Sequence, residues 1–313
     1  MQEIFLQVIQ EYTAGSPQQD IRWTNLKPRE IALKMKESGM HVSRKIVRKL
    51  MKKNGFVLRQ SQKKTSYKEH PERNNQFEKI ARLKEQYLKN NDPVISMDTK
   101  KKELIGNFYR EGKLYTKETI EVLDHDFPSY SNGKVIPHGI YDIGRNKAHV
   151  NLGTSRDTTE FSCDSLKHWW TTVGKHDYPN AKRLLLMCDG GGSNPSNSYL
   201  FKQDLQRISD ELGLEIRVAH YPAYCSKHNP IEHRVFPHVT RACEGVVFDS
   251  IETVKELVSK TKTETGLKVT VDIMTKVYET GRKITKKAAL KINFVADKII
   301  PKWNYVINPL NGY

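Results

Sequence analysis

The sequence predicts an α/β domain whose central sheet is covered by helices, preceded by a small helical region. Three observations carry this. From residue 92 onward, short apolar runs alternate with stretches of helical periodicity, the pattern of a sheet wound with helices. Residues 27–68 hold fourteen Lys or Arg against two acids, a local excess of +12 within a chain of net charge +16. At 313 residues, with 37% apolar residues, the chain is long enough for about two domains at ~100–200 residues each.

The basic block has its own periodicity. Pro28 suits the first turn of a helix, and Ile31, Ala32 and Met35 make its apolar stripe. Ser38-Gly39 stops it, because glycine tolerates the left-handed conformation that ends helices. Ser43 is a candidate N-cap for a second helix, with Ile46, Val47, Leu50 and Met51 as its inner face. Arg44, Lys45, Arg48, Lys49, Lys52 and Lys53 surround that face. Two helices joined at a short glycine turn, the second strongly basic, make a helix-turn-helix that sets a helix in a DNA groove. Residues 55–59 are a candidate wing strand. The bland reading of the block is a solvated face without a partner. Polar residues 61–76 read as a linker, and 77–88 as a connecting helix.

Beyond it, residues 93–97 read as a buried strand ending at Asp98. Residues 136–143 and 148–152 read as a strand pair turned at Gly144-Arg145-Asn146. A helix is expected over 158–170, a buried strand over 183–188 ending at Asp189, a helix over 196–212 and a strand over 214–220. A last helix over 229–244 contains Pro237, which removes a hydrogen bond to the His233 carbonyl and predicts a kink.

Three acids stand out by position. Asp98 and Asp189 each follow a buried strand, and sites in open α/β sheets gather at the carboxyl ends of strands. Glu232 lies in the first turn of the helix after Asn229-Pro230. Three carboxylates on neighbouring elements can hold two divalent cations. Oxygen donors without sulfur favour magnesium or manganese, and two such ions clamp an in-line phosphoryl displacement. The bland readings are turn residues for the two Asp and, for Glu232, a capping-box Glu behind Asn229 as N-cap. Two rival motifs fit less well. Gly190-Gly191-Gly192-Ser193 lacks the Lys-Ser/Thr of a nucleotide-binding loop, and reads as a turn keeping backbone clear of Asp189. Cys225, His228, His233, His238 and Cys243 match no usual zinc-finger spacing. Four scattered cysteines suggest no disulfide framework. No apolar run approaches the ~18 residues of a membrane span, and no secretory signal is evident at the start. A reduced, intracellular protein is expected.

The runs Ser96-Met97-Asp98-Thr99-Lys100-Lys101-Lys102-Glu103, Cys188-Asp189-Gly190-Gly191-Gly192-Ser193-Asn194 and Asn229-Pro230-Ile231-Glu232-His233-Arg234 resemble the DDE insertion-sequence transposases of the Rhodopirellula-transposase type. The likeness continues through Trp169-Trp170, Thr265-Gly266-Leu267, Tyr278-Glu279-Thr280-Gly281 and Trp303-Asn304-Tyr305, from about Trp23 to the C-terminus. The resemblance implies a ribonuclease-H-like mixed sheet and a triad of Asp98, Asp189 and Glu232. It also implies two Mg2+ ions, for which Mn2+ can substitute, and cleavage and joining of double-stranded DNA at transposon ends and target. A homo-oligomer on DNA and a bacterial, cytoplasmic, nucleoid-associated location go with it. Lys100 and Lys101, beside Asp98, are candidate phosphate contacts along with Arg44, Lys45, Arg48, Lys49 and Lys52. The expected layout is a helix-turn-helix region over 1–75, a linker helix over 76–92 and a catalytic domain over 93–313. Members of this type usually carry more sequence ahead of this point. The alternative is therefore a shortened or silent relative that binds DNA without cutting it.

Overall fold

The computed structural model describes residues 1–10, 13–16, 19–59 and 71–310. The chain divides into two compact units, Met1–Thr65 and Ser66–Tyr313. Residues 60–70, most of the stretch read as a linker, lie outside the described residues.

In the first unit, helix α1 (Gln2–Gln10) is followed by a hairpin of β1 (Thr13–Ser16) and β2 (Gln19–Thr24), then α2 (Pro28–Glu37) and α3 (Arg44–Lys53). The sequence reading contains no α1. It packs Phe5, Val8 and Ile9 against Ile31 and Met35 of α2 and Val47 of α3. Both expected helices start where their caps place them. The Lys27 amide donates to Glu30 Oε2 at 2.6 Å, and Ser43 Oγ accepts from the Ile46 amide at 3.4 Å. Gly39 closes α2 with φ +82°, and the Met40 amide reaches back to the Met35 carbonyl at 2.8 Å. Ile46, expected inside, is 37% exposed, because Val47 alone faces the small three-helix core squarely. The candidate wing over 55–59 does not form a strand. The chain turns back at Gly55 (φ +79°), and the Phe56 amide caps the Met51 carbonyl at 2.9 Å. Phe56 then closes over the core instead of pairing with a neighbour.

The second unit opens with α4 (Arg73–Lys89), followed by β3 (Val94–Thr99), β4 (Glu103–Ile105), β5 (Gly133–Asp142) and β6 (Lys147–Gly153). Helix α5 (Thr159–Trp169) runs through a π-turn over Trp170–Gly174 into a single turn, α6 (Lys175–Asp177). Then come β7 (Arg183–Cys188), α7 (Tyr199–Leu212), β8 (Glu215–His220), α8 (Pro230–Arg234), α9 (Phe236–Ala242), α10 (Ile251–Ser259), β9 (Lys268–Met274), β10 (Phe294–Ala296) and β11 (Asn304–Ile307). The strand order is β10-β11-β8-β7-β3-β5-β6-β9, with β4 beside β5. The strands β3, β7 and β8 are parallel, whereas β5 is antiparallel to both β3 and β6. That order and those directions are the ribonuclease-H-like arrangement, a mixed sheet with helices on both faces.

Alternation along β7 explains its unbroken apolar run. Leu184, Leu186 and Cys188 face α5 and α7, where they meet Leu166, Trp169, Phe201, Leu205 and Ile208. Leu185 and Met187 face α4, where they meet Ile80, Leu83 and Tyr87. A strand buried on both faces has no polar side to show, and each fully buried Leu contributes ~1.5–3 kcal/mol. A third apolar cluster joins Tyr141, Val150 and Leu152 to Ile231, Val235, Phe236 and Val239, and so seats α8 and α9 on the sheet. The expected single helix over 229–244 is broken at Val235 (φ −123°, ψ −59°). Pro237 thus sits in the first turn of α9, where its missing N–H costs nothing. The break falls two residues upstream of the proline, not at a kink around it.

Candidate active site

Ser96 pairs with Met187 across the parallel β3 and β7. Continuing that register by two residues brings Asp98 level with Asp189, at the ~4.8 Å spacing of adjacent strands. Asp98 lies near the end of β3 and Asp189 directly follows β7, so both stand at the carboxyl edge of the sheet.

Glu232 is brought to them by side chains of β3. Asn229 does not cap α8 with its side chain. Its amide Nδ2 donates to the Met97 carbonyl at 3.1 Å, and its Oδ1 accepts from Ser96 Oγ at 2.6 Å. Ser96 Oγ in turn accepts the Ile231 amide at 3.0 Å, so the strand caps the helix. Residues two apart on a strand share a face, which puts Asp98 on the side of Ser96 and α8. The Glu232 carboxyl comes close enough to that of Asp98 to raise it. The close approach needs Gly139, the β5 partner of Asp98. A Cβ there would lie 2.6 Å from Ile231 Cδ1 and 2.8 Å from Phe236 Cε1.

The three carboxyls repel one another. Burial, joined by the charges of Asp189 and Glu232, pushes the Asp98 carboxyl up to about 8, against the pull of the Thr99 amide. Burial and the Glu232 charge also raise Asp189, while the Gly191 amide, 3.4 Å from Oδ1, eases it. A cation stabilises crowded, half-dried carboxylates of this kind.

Sequence reasoning did not find the groups that hold Asp189 and its loop. A carbonyl only accepts, so His220 Nδ1–H donates to the Asp189 carbonyl at 2.8 Å, and its Nε2 accepts from the Tyr305 hydroxyl at 3.1 Å. Ser162 Oγ donates to Asn194 Oδ1 at 2.6 Å and accepts from His138 Nε2 at 3.2 Å. Thr99 Oγ1 meets Ser193 Oγ at 3.3 Å. Gly190 is needed where Trp303 passes, since a Cβ there would lie 3.0 Å from Cζ3 of that ring. The glycine run is therefore a turn held from three sides.

Burial keeps both histidines neutral, pushing His138 down to about 3 and His220 to about 4. Both pKa values lie below the unfolded value near ~6.5, so the unfolded chain binds more protons as pH falls. Folding stability is expected to be retained above pH ~6.5 and lost progressively as the pH drops toward ~4, at up to ~1.4 kcal/mol per pH unit for each histidine. Guanidinium denaturation at pH 7.5, 6.0 and 5.0 checks this, and equal stability at all three pH values would refute it.

Of the candidate DNA contacts, Arg44, Lys45, Arg48, Lys49 and Lys52 are exposed on α3. Lys101, just past β3 in the chain, is exposed, whereas Lys100 is half-buried and paired with Glu103 at 2.9 Å. The cysteines and histidines over 225–243 form no metal-ligand group among the described residues. Nor is any helix among them long and apolar enough to cross a membrane.

The fold and its three convergent acids define a ribonuclease-H-like protein with a carboxylate site at the sheet edge. The family described as the Rhodopirellula transposase DDE domain matches residues 5–309. The chain belongs to that transposase family. Among solved structures, a Mos1 transposase paired-end complex with left transposon end is similar over 82% of this chain and 69% of that one, at 11% identity and a TM-score of 0.47. A Mos1 mariner paired end complex with Mn is similar over the same shares, at 14% identity and a TM-score of 0.43. A comparison with curated proteins returned no match.

Proposed function

We propose that the protein is a DNA transposase that cuts phosphodiesters at transposon ends and transfers the freed 3′-hydroxyl into target DNA, with Asp98, Asp189 and Glu232 as its triad. The observation that carries the reading is the convergence of these three carboxyls on one desolvated edge, in a chain of the DDE family. The donor set fits the cation it needs. It is all oxygen, acidic and crowded enough to hold one carboxyl protonated near neutral pH, the signature of a site completed by hard divalent ions. Two Mg2+ or Mn2+ ions, when bound, supply charge stabilisation and an activated water.

The chain's own residues provide position. Asp98 and Asp189 hold the cations from adjacent strands, and Glu232 closes the cage from α8. Ser96 and Asn229 fix the approach of Glu232. His220 fixes the backbone of Asp189. Correct placement of this kind accounts for several kcal/mol of a barrier. Lys101 and the exposed face of α3 bind duplex phosphates, and Arg44, Lys45, Arg48, Lys49 and Lys52 orient the transposon end. Paired ends require two active sites, so a homo-oligomer forms on DNA.

The test is cleavage of duplexes taken from the DNA that flanks the gene. Magnesium and manganese are expected to support nicking and joining. Calcium is expected to support binding but not cutting, because it is larger and laxer in geometry. A gel shift without any cleaved strand in either magnesium or manganese would overturn the enzymatic reading and leave a DNA-binding protein.

A further inference from the structure

Three side chains from three elements meet at the far side of the sheet: His149 on β6, His168 on α5 and Asp272 on β9. One ligand atom from each lies within 4.8 Å of the others. We propose that this trio is a second metal site, which takes one zinc ion and joins the edge strand β9 to β6 and α5.

The geometry argues for it. Two ligand atoms about 2.0 Å from zinc at a tetrahedral angle stand ~3.3 Å apart. His168 Nε2 is 3.0 Å from Asp272 Oδ2, and His149 Nε2 is 3.7 Å from the same oxygen. Those two spacings to the carboxylate bracket the tetrahedral edge, and the two imidazoles offer ligand atoms within 4.8 Å of each other, so side-chain rotations admit the ion. The donors are two imidazoles and a carboxylate, a set suited to zinc and poor for magnesium. His149 is buried, whereas the His168 and Asp272 side chains are 35% and 41% exposed. A water can therefore take the fourth position.

The surroundings orient the ring. His149 Nδ1 lies 2.8 Å from Thr270 Oγ1, and an N–H donated there leaves Nε2, 3.7 Å from Asp272 Oδ2, with a lone pair free for a metal. Such an outer hydrogen bond is the usual partner of a metal-bound histidine. In the other tautomer Nε2–H donates to Asn151 Oδ1 at 3.2 Å, and the trio is then only an ion-pair cluster. Lys255 Nζ stands 3.8 Å from Asp272 Oδ1 on a 44% exposed side chain, free to swing aside when zinc neutralises the carboxylate.

The experiment uses the full chain carrying Asp98→Asn, Asp189→Asn and Glu232→Gln, so that the triad does not compete for metal. After chelation and dialysis, zinc is titrated in by calorimetry, and Tm is followed. One equivalent is expected to bind, with a Tm rise of several degrees at a hundredfold excess over Kd. Adding His168→Ala is expected to weaken binding at least about a hundredfold. Asp272→Asn keeps the shape of the site and should weaken zinc similarly, which guards against misfolding of the alanine variant. Cobalt in place of zinc should give the intense visible absorption of a four-coordinate ion, lost in both variants. Absence of stoichiometric binding, or binding unchanged by both substitutions, would overturn the site and leave the ion-pair cluster.

Discussion

Asp98→Asn, Asp189→Asn and Glu232→Gln are each expected to lower metal-dependent strand cleavage on the order of a thousandfold or more, with DNA binding nearly unchanged. Each substitution keeps the shape and removes one negative donor from a cage in which the cation's position sets the rate. Stability supplies an internal control. Burial and two neighbouring acids hold the Asp98 carboxyl at about 8, so its charge opposes folding above that pH. In metal-free protein at pH 9, Asp98→Asn should therefore raise Tm or leave it unchanged. Cleavage rates on a labelled transposon end, read beside melting curves for the same preparations, decide the matter. Full cleavage by any one variant removes that residue from the mechanism. Loss of cleavage together with a collapsed Tm assigns the residue to the fold instead.

The second large effect is expected on DNA affinity. Replacing Arg44, Lys45, Arg48 and Lys49 together with Ala removes four exposed charges from one face of α3 and leaves Val47 in its core. Each phosphate contact contributes about 0.9 to the slope of log affinity against log salt. If all four meet phosphates, the slope falls by about 3.6, so the affinity lost between 50 and 200 mM salt shrinks roughly a hundredfold. Fluorescence anisotropy across a salt series, wild type against the fourfold variant, measures it. An unchanged slope would mean that the basic face is only solvated, and attention would move to the exposed Lys101.

What was legible before any fold was known is local. The first-turn Pro28, the cap at Ser43, the stop at Gly39 and the apolar run of β7 act within a few residues of where they stand. Each produced the expected element, because hydrogen bonds inside one turn and alternation along one strand need no distant partner. Asp98 and Asp189 also stood out as strand-end positions and Glu232 as a first-turn helix position, and all three lie in the runs that resemble the family. Their convergence was not legible. Asp98 and Asp189 become neighbours only through the pairing of β3 with β7. Glu232 arrives only because Asn229, read locally as a helix cap, spends its side chain on Ser96 and Met97, more than 130 residues away in the chain. Local chemistry offered Asn229 a bond to the first turn of its own helix, and packing offered a buried strand with a hydroxyl and a carbonyl to satisfy. The buried partners prevailed, because an unpaired polar group inside is costly and Ser96 Oγ takes the Ile231 amide in place of Asn229. Pro237 tells the same story. Its missing N–H forbade an unbroken helix, but the place of the break, Val235, was chosen by the packing of Ile231, Val235 and Phe236 against the sheet. The sites of His220, His138 and the trio around Asp272 left no mark in the sequence, since their partners lie on different strands and helices and no periodicity links them. The caps, the stops and the strand-end places of Asp98 and Asp189 followed from short-range physics, whereas the geometry that brings the acids together follows from burial, which only the assembled sheet imposes.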